Sequence, residues 1–139
     1  MPHVSRKKLK KEQFEKIYEK LALVFNEAGK NKKSELILEE FLTTTEKIML
    51  AKRLAVIFML NEKVSIYHIS ETLFVSPSTV DRISLKYESG EYYYLSKITK
   101  KNRPEIWDIL KTLILIGITP KCGKNRWKWF YEIDKKYLN

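Results

Sequence analysis

The stretch from Ser65 to Tyr87 constrains the fold of this chain more than any other segment. Apolar residues in its first part recur at spacings of three and four, which indicates the buried face of a helix: Ile66, Ile69 and Leu73. Ser76 and Pro77 then have the side chains that are favoured at the N-cap and at the first position of a new helix. Two short helices joined by a tight turn predict a helix-turn-helix, whose second helix can enter the major groove of DNA.

The second helix of this motif, residues 76–87, has one apolar and one polar face. Val80 and Ile83 are predicted to face the core. Residues at the start of such a helix reach base edges, so the expected DNA-binding residues are Pro77, Ser78, Thr79, Asp81, Arg82 and Lys86. Two ordinary packed helices would show the same apolar spacing. The N-cap and the polar face favour the helix-turn-helix.

Phe74 stands in the predicted turn, where most motifs of this kind have a glycine with a left-handed backbone. The phenylalanine leaves the geometry of the turn open. It does not remove the periodicity and the cap on either side, on which the motif itself depends.

The composition predicts an all-α protein with a polyanionic partner. The chain has 139 residues with only four glycines and four prolines, and 44% of its residues are hydrophobic. Its formal net charge of +10 indicates a polyanionic partner, and together with the helix-turn-helix it favours double-stranded DNA. One of three basic blocks lies near the C-terminus, where we expect phosphate contacts from Lys121, Lys124, Arg126 and Lys128.

Residue types that carry catalysis or bind metals are not arranged in any recognisable pattern. Cys122 is the single cysteine, and with two distant histidines it makes no metal site, so we expect no cofactor. No phosphate loop or paired carboxylates indicate an enzyme. The longest apolar run, residues 54–60, is too short to cross a membrane, and no signal peptide is visible. A cytoplasmic protein is therefore expected.

Three helices are predicted before the motif. Apolar residues at helical spacing indicate helices over residues 9–28 and 34–42, with Gly29 as the C-cap of the first. Thr43 and Glu46 then form a capping box, which opens a helix that continues to about residue 60.

The region after the motif is less regular. The aromatic run 91–95 is compatible with a short strand or with a docking segment. A basic link, residues 97–103, precedes Pro104, at which a further apolar helix begins. We therefore divide the chain into a dimerisation and helix-turn-helix domain, residues 1–95, and a small basic, aromatic-rich appendage, residues 96–139.

A homodimer is expected because the apolar surface exceeds what one short chain can cover. Residues 54–60 are apolar on every side of their helix, and the helix over residues 9–28 has an additional apolar stripe. A second subunit is the simplest source of cover for both.

The segment from Phe41 to Tyr87 resembles the Trp repressor family, especially its tryptophan-independent YerC/YecD-like branch. The resemblance extends over about residues 9–94 and is carried by four features: Leu42-Thr43 with Glu46, Arg53-Leu54, the motif from Ser65 to Ile83, and Gly90 before Tyr92. It implies an interlocked all-helical homodimer with two helix-turn-helix heads and a role as a transcriptional regulator, expected to be a repressor.

The same resemblance assigns roles to individual residues. Thr79 and Arg82 match polar positions of the family's recognition helix. Thr43, Arg53 and Arg82 match the places that hold tryptophan in the Trp repressor, and they form a candidate effector pocket. Ile83, however, stands where that repressor has a glycine beside the indole, so we expect no tryptophan corepressor. A simpler interpretation of Arg53 is an ion pair with Glu46 or Glu62.

Two other functions are compatible with these patterns. The DNA-binding module of a replication or transposition system would share the helix-turn-helix. An RNA-binding protein could use the aromatic residues between bases in the C-terminal segment to stack on unpaired nucleotides. Core aromatics in a small subdomain would explain the same residues.

Overall fold

A computed structural model of the chain describes residues 6–102 and 104–110, and all regular secondary structure within them is helical. Six helices follow one another: α1 (Lys11–Lys30), α2 (Ser34–Phe41), α3 (Thr44–Asn61), α4 (Ile66–Leu73), α5 (Pro77–Glu88) and α6 (Tyr93–Lys101). A seventh, α7, covers residues 104–110. The all-α class is confirmed for these residues, and the chain divides into two compact units within α3, between Met49 and Leu50.

The first unit contains α1, α2 and the start of α3, and it has almost no core of its own. Phe25 and Phe41 meet edge to face, with ring centroids 6.0 Å apart. Ala28 is the only buried residue among residues 6–49. Large apolar side chains of α1 and α2 are exposed to solvent instead, among them Phe14, Ile17, Tyr18, Leu23, Val24, Leu36 and Phe41.

The end of α1 differs from the prediction. Gly29 is not the C-cap: the helix continues through Lys30, and Asn31 is the capping residue. The Asn31 side chain donates to the backbone carbonyl of Glu27 at 3.0 Å and to its carboxylate at 3.0 Å. The bond to the carbonyl satisfies an acceptor in the last turn of the helix. Lys32 then has the left-handed conformation, with φ 55°.

The predicted capping box at the start of α3 is confirmed. The Thr43 backbone N–H and hydroxyl both donate to Glu46 Oε2, at 2.9 and 2.7 Å. The Glu46 backbone N–H returns a bond to Thr43 Oγ1 at 3.3 Å. The bond from the Thr43 backbone, followed by that from its hydroxyl, lowers the pKa of Glu46 below its ordinary value of 4.5.

The second unit has a continuous core beneath the helix-turn-helix. Its buried cluster joins α3, α4, α5 and α7 through Val56, Phe58, Met59, Val64, Ile69, Leu73, Val80, Trp107 and Leu110. Val56 to Met59 are fully buried by this one chain. The expectation that the apolar run 54–60 requires cover from a second subunit is therefore wrong for its central residues, while Leu54 remains 38% exposed.

Residues 93–101 are helical, which corrects the expected strand and the expected basic link. The aromatic run 91–95 is not a strand, since α6 begins within it at Tyr93. The basic link predicted at residues 97–103 is helical up to Lys101. Gly90, with φ 83°, turns the chain between α5 and α6. Ser96 and Thr99 form the buried face of α6, which leaves the tyrosines and lysines outside.

Candidate nucleic-acid interface

Helices α4 and α5 pack against each other and form the predicted helix-turn-helix. Ile69 and Leu73 of α4 and Val80 of α5 are buried between them and the core below. Ser84, also buried, provides a small side chain on the inward face of α5. This packing turns the opposite face of α5 toward solvent. We call α5 the recognition helix.

Both helices of the motif begin with a serine cap, and the sequence predicted the one at Ser76. Ser65 Oγ accepts the backbone N–H of His68 at 3.3 Å and lies 2.8 Å from Nδ1 of the same residue. Ser76 Oγ accepts the backbone N–H of Thr79 at 3.3 Å, and Pro77 occupies the first turn. The start of the recognition helix is thus defined by local hydrogen bonds.

The turn between the two helices has the left-handed geometry usual for glycine, although phenylalanine occupies it. Phe74 has φ 51° and ψ 49°, and its side chain is 73% exposed. Lys52 of α3 donates to the Phe74 carbonyl at 3.2 Å. Ser70 Oγ donates to the Val75 carbonyl at 2.6 Å. Two side chains outside the turn therefore hold the backbone in a conformation that an L-residue rarely adopts.

Most of the predicted DNA-binding side chains on α5 are exposed together: Pro77, Ser78, Asp81, Arg82 and Lys86. Thr79, by contrast, is half-buried, and its hydroxyl lies 2.8 Å from Ser76 Oγ. Lys86 forms an ion pair with Glu91 at 3.6 Å. The side chains of Asp81 and Arg82 make no hydrogen bond or ion pair with another described residue.

Sequence reasoning missed Leu85, which is 60% exposed on the recognition helix. It follows Ser78, Asp81 and Arg82 by seven, four and three residues, so all four lie on one helical face. An exposed leucine on that face can contact a thymine methyl group in the major groove. The same spacing rule, applied to the polar face instead of the apolar one, would have found it.

The residues of the candidate effector pocket occupy both compact units. Thr43 lies in the first unit, and its backbone N–H and hydroxyl are used in the capping box. Arg53 and Arg82 are exposed in the second unit, and Arg53 forms no ion pair with Glu62. Ile83, on the inward side of the recognition helix, packs against the core. A pocket for an effector remains a prediction.

Residues 6–102 and 104–110 contain no group of three or more His, Cys, Asp or Glu side chains that could hold a metal ion. No helix among them has the length and apolar character needed to span a membrane. The predicted phosphate contacts of the C-terminal block, Lys121, Lys124, Arg126 and Lys128, lie outside the described residues.

Comparison with known proteins agrees with this geometry. The model of the family described as Trp repressor protein matches residues 12–102, which is more than half of the 139-residue chain. No curated protein and no solved structure gives a significant match. The matched range contains the helix-turn-helix and nearly the whole of α1 to α6, and the family is one of DNA-binding regulators. The chain therefore belongs to the Trp repressor family.

Proposed function

We propose that this protein is a sequence-specific transcriptional repressor of the tryptophan-independent YerC/YecD-like branch, and that it binds double-stranded DNA through α5. The observation that carries the proposal is the ordered recognition helix, whose Asp81 and Arg82 side chains are exposed and bond to no other described residue. An arginine in this position can donate two hydrogen bonds to guanine in the major groove.

The charge of the chain supports a duplex as the partner. Twenty-seven lysines and arginines against seventeen acidic residues give the net charge of +10. Basic side chains that neutralise phosphates release condensed counterions, so they supply affinity that is independent of sequence. We assign that role to the C-terminal block, Lys121, Lys124, Arg126 and Lys128, beside the bases read by Thr79 and Arg82.

The exposed first unit supports action as a homodimer. Phe14 and Ile17 of α1 are 55% and 57% exposed, and Leu36 of α2 is 59% exposed. A soluble monomer rarely leaves a contiguous apolar surface of this kind uncovered. A second copy of the same unit offers the same surface and can bury it symmetrically. The dimer would carry two recognition helices, one for each half of a two-fold symmetric site.

Selection of bound sequences from a random pool of duplexes tests this function. We expect a palindromic consensus whose half-sites are about 34–36 Å apart, as two helix-turn-helix heads require. Titrating the selected duplex at several salt concentrations should give a steep linear loss of log affinity with log salt. Failure to enrich any duplex, a flat salt response, or preferential binding of single-stranded RNA in the same assay would contradict the proposal.

A further inference from the structure

Asn61, the last residue of α3, uses its side-chain amide to join three helices. Its Oδ1 accepts the Tyr87 hydroxyl of α5 at 2.8 Å and the Ser96 hydroxyl of α6 at 2.6 Å. Its Nδ2 donates to Thr99 Oγ1 at 2.7 Å and to the Ser96 carbonyl at 3.4 Å. The amide has two acceptor and two donor positions, and all four are used.

The residues that bond to this amide are largely shielded from water. Ser96 and Thr99 are buried, with Thr99 only 1% exposed, and Asn61 and Tyr87 are half-buried. Thr99 Oγ1 also donates to the Ser96 carbonyl at 2.9 Å, so every hydroxyl of the cluster has a partner. Polar networks that are fully satisfied and shielded from water favour one arrangement, because any other arrangement leaves a buried group unpaired.

The bond to Tyr87 gives the recognition helix a second attachment to α3. Its N-terminal end is attached through the turn, where Lys52 holds the Phe74 carbonyl. Its C-terminal end is attached through Tyr87 to Asn61. Both anchoring residues, Lys52 and Asn61, belong to α3. Val80 and Ile83 hold the middle of α5 against the core, and these two bonds in addition fix both of its ends relative to α3.

We propose that Asn61 is a positioning residue that sets the angle of the recognition helix and thereby its discrimination between DNA sequences. The inference rests on the function proposed above. A 12-residue helix is roughly 18 Å long, so a tilt of about 10° moves one end by roughly 3 Å relative to the other. Base-edge hydrogen bonds do not survive such a displacement, whereas contacts to phosphates through flexible lysines do.

Two single substitutions separate positioning from general stabilisation. Tyr87→Phe removes only the bond from α5 to the amide and keeps the aromatic ring. Thr99→Val, the matched control, removes a bond of similar length to the same amide on the α6 side. We expect Tyr87→Phe to reduce the ratio of specific to non-specific duplex affinity by roughly two- to tenfold, the range that corresponds to one hydrogen bond. Thr99→Val should lower thermal stability and leave that ratio unchanged.

A measurement without DNA tests the same inference independently of the proposed function. Residual dipolar couplings of backbone amides report the angle between α3 and α5 in each variant. Tyr87→Phe should change that angle or widen its distribution, and Thr99→Val should do neither. If both variants keep the parent's angle, or if both lower specific and non-specific affinity equally, Asn61 does not position the helix. If the parent binds no duplex but the couplings behave as expected, only the proposed function fails.

Discussion

The side-chain ammonium of Lys52 donates to the backbone carbonyl of Phe74 at 3.2 Å, and the two residues are 22 positions apart in the sequence. The bond connects the middle of α3 with the turn of the helix-turn-helix. It lies at the point where the backbone has its left-handed conformation, with φ 51° at Phe74. A long-range contact therefore supports the turn that starts the recognition helix.

Replacing Phe74 by glycine should stabilise the protein. The phenylalanine ring is 73% exposed, so little burial is lost, while glycine accepts the left-handed backbone without steric cost. We expect the free energy of unfolding to rise by about 1 kcal/mol, measured by urea denaturation at fixed protein concentration. Phe74→Ala is the control, because it removes the ring and keeps the strain. A larger gain from alanine than from glycine would show that the ring itself is unfavourable.

Stability should depend on acid pH through Glu46. The pKa of this carboxyl is lowered in the folded chain, so its capping contribution is complete above the ordinary value of 4.5 and is lost as pH falls through the lower folded pKa. Glu46→Gln keeps the cap and removes the titration, so its unfolding free energy should vary less with pH below about 4.5.

Glu40→Gln provides the comparison for that experiment, because Glu40 is an exposed acid of the same unit. It should leave the acid dependence of unfolding close to that of the parent. Identical pH profiles for Glu46→Gln and the parent would mean that ionisation of Glu46 does not contribute to the pH dependence of stability.

Arg82→Ala should reduce specific DNA binding more than non-specific binding. A two-bond contact from arginine to guanine is worth about 1–3 kcal/mol of discrimination. Competition between the selected duplex and a scrambled one measures the difference. Lys86→Ala is the control, since Lys86 is already paired with Glu91 and is expected to contact phosphate at most. Equal losses on both duplexes for Arg82→Ala would exclude a base contact.

A charge placed on the exposed stripe of α1 should prevent dimerisation. Ile17 is 57% exposed in the single chain, and Ile17→Glu would bury a carboxylate in the proposed interface. We expect the parent to sediment as a dimer at micromolar concentration and this variant as a monomer or an unfolded chain. Lys16→Glu, one position outside the apolar stripe, is the control and should remain dimeric. A folded, monomeric parent would contradict the homodimer.

The sequence by itself determined the helical class, the Ser76 cap of α5, the capping box of Thr43 and Glu46, and the outward position of Arg82. Each of these depends on residues within one or two helical turns of each other, and their periodicity and side-chain chemistry are visible in the chain. The resemblance to the Trp repressor family also depended on such local features, and the family match confirms it.

Only the tertiary structure decided the rest. Tyr93 to Lys101 form a helix because Ser96 and Thr99 find partners on Asn61, which is 35 and 38 residues away. Val56, Phe58 and Met59 are covered within one chain because they share a cluster with Trp107 and Leu110. Phe74 accepts a left-handed backbone because Lys52 meets its carbonyl. Such contacts join distant parts of the sequence, and no local periodicity predicts which of them will form.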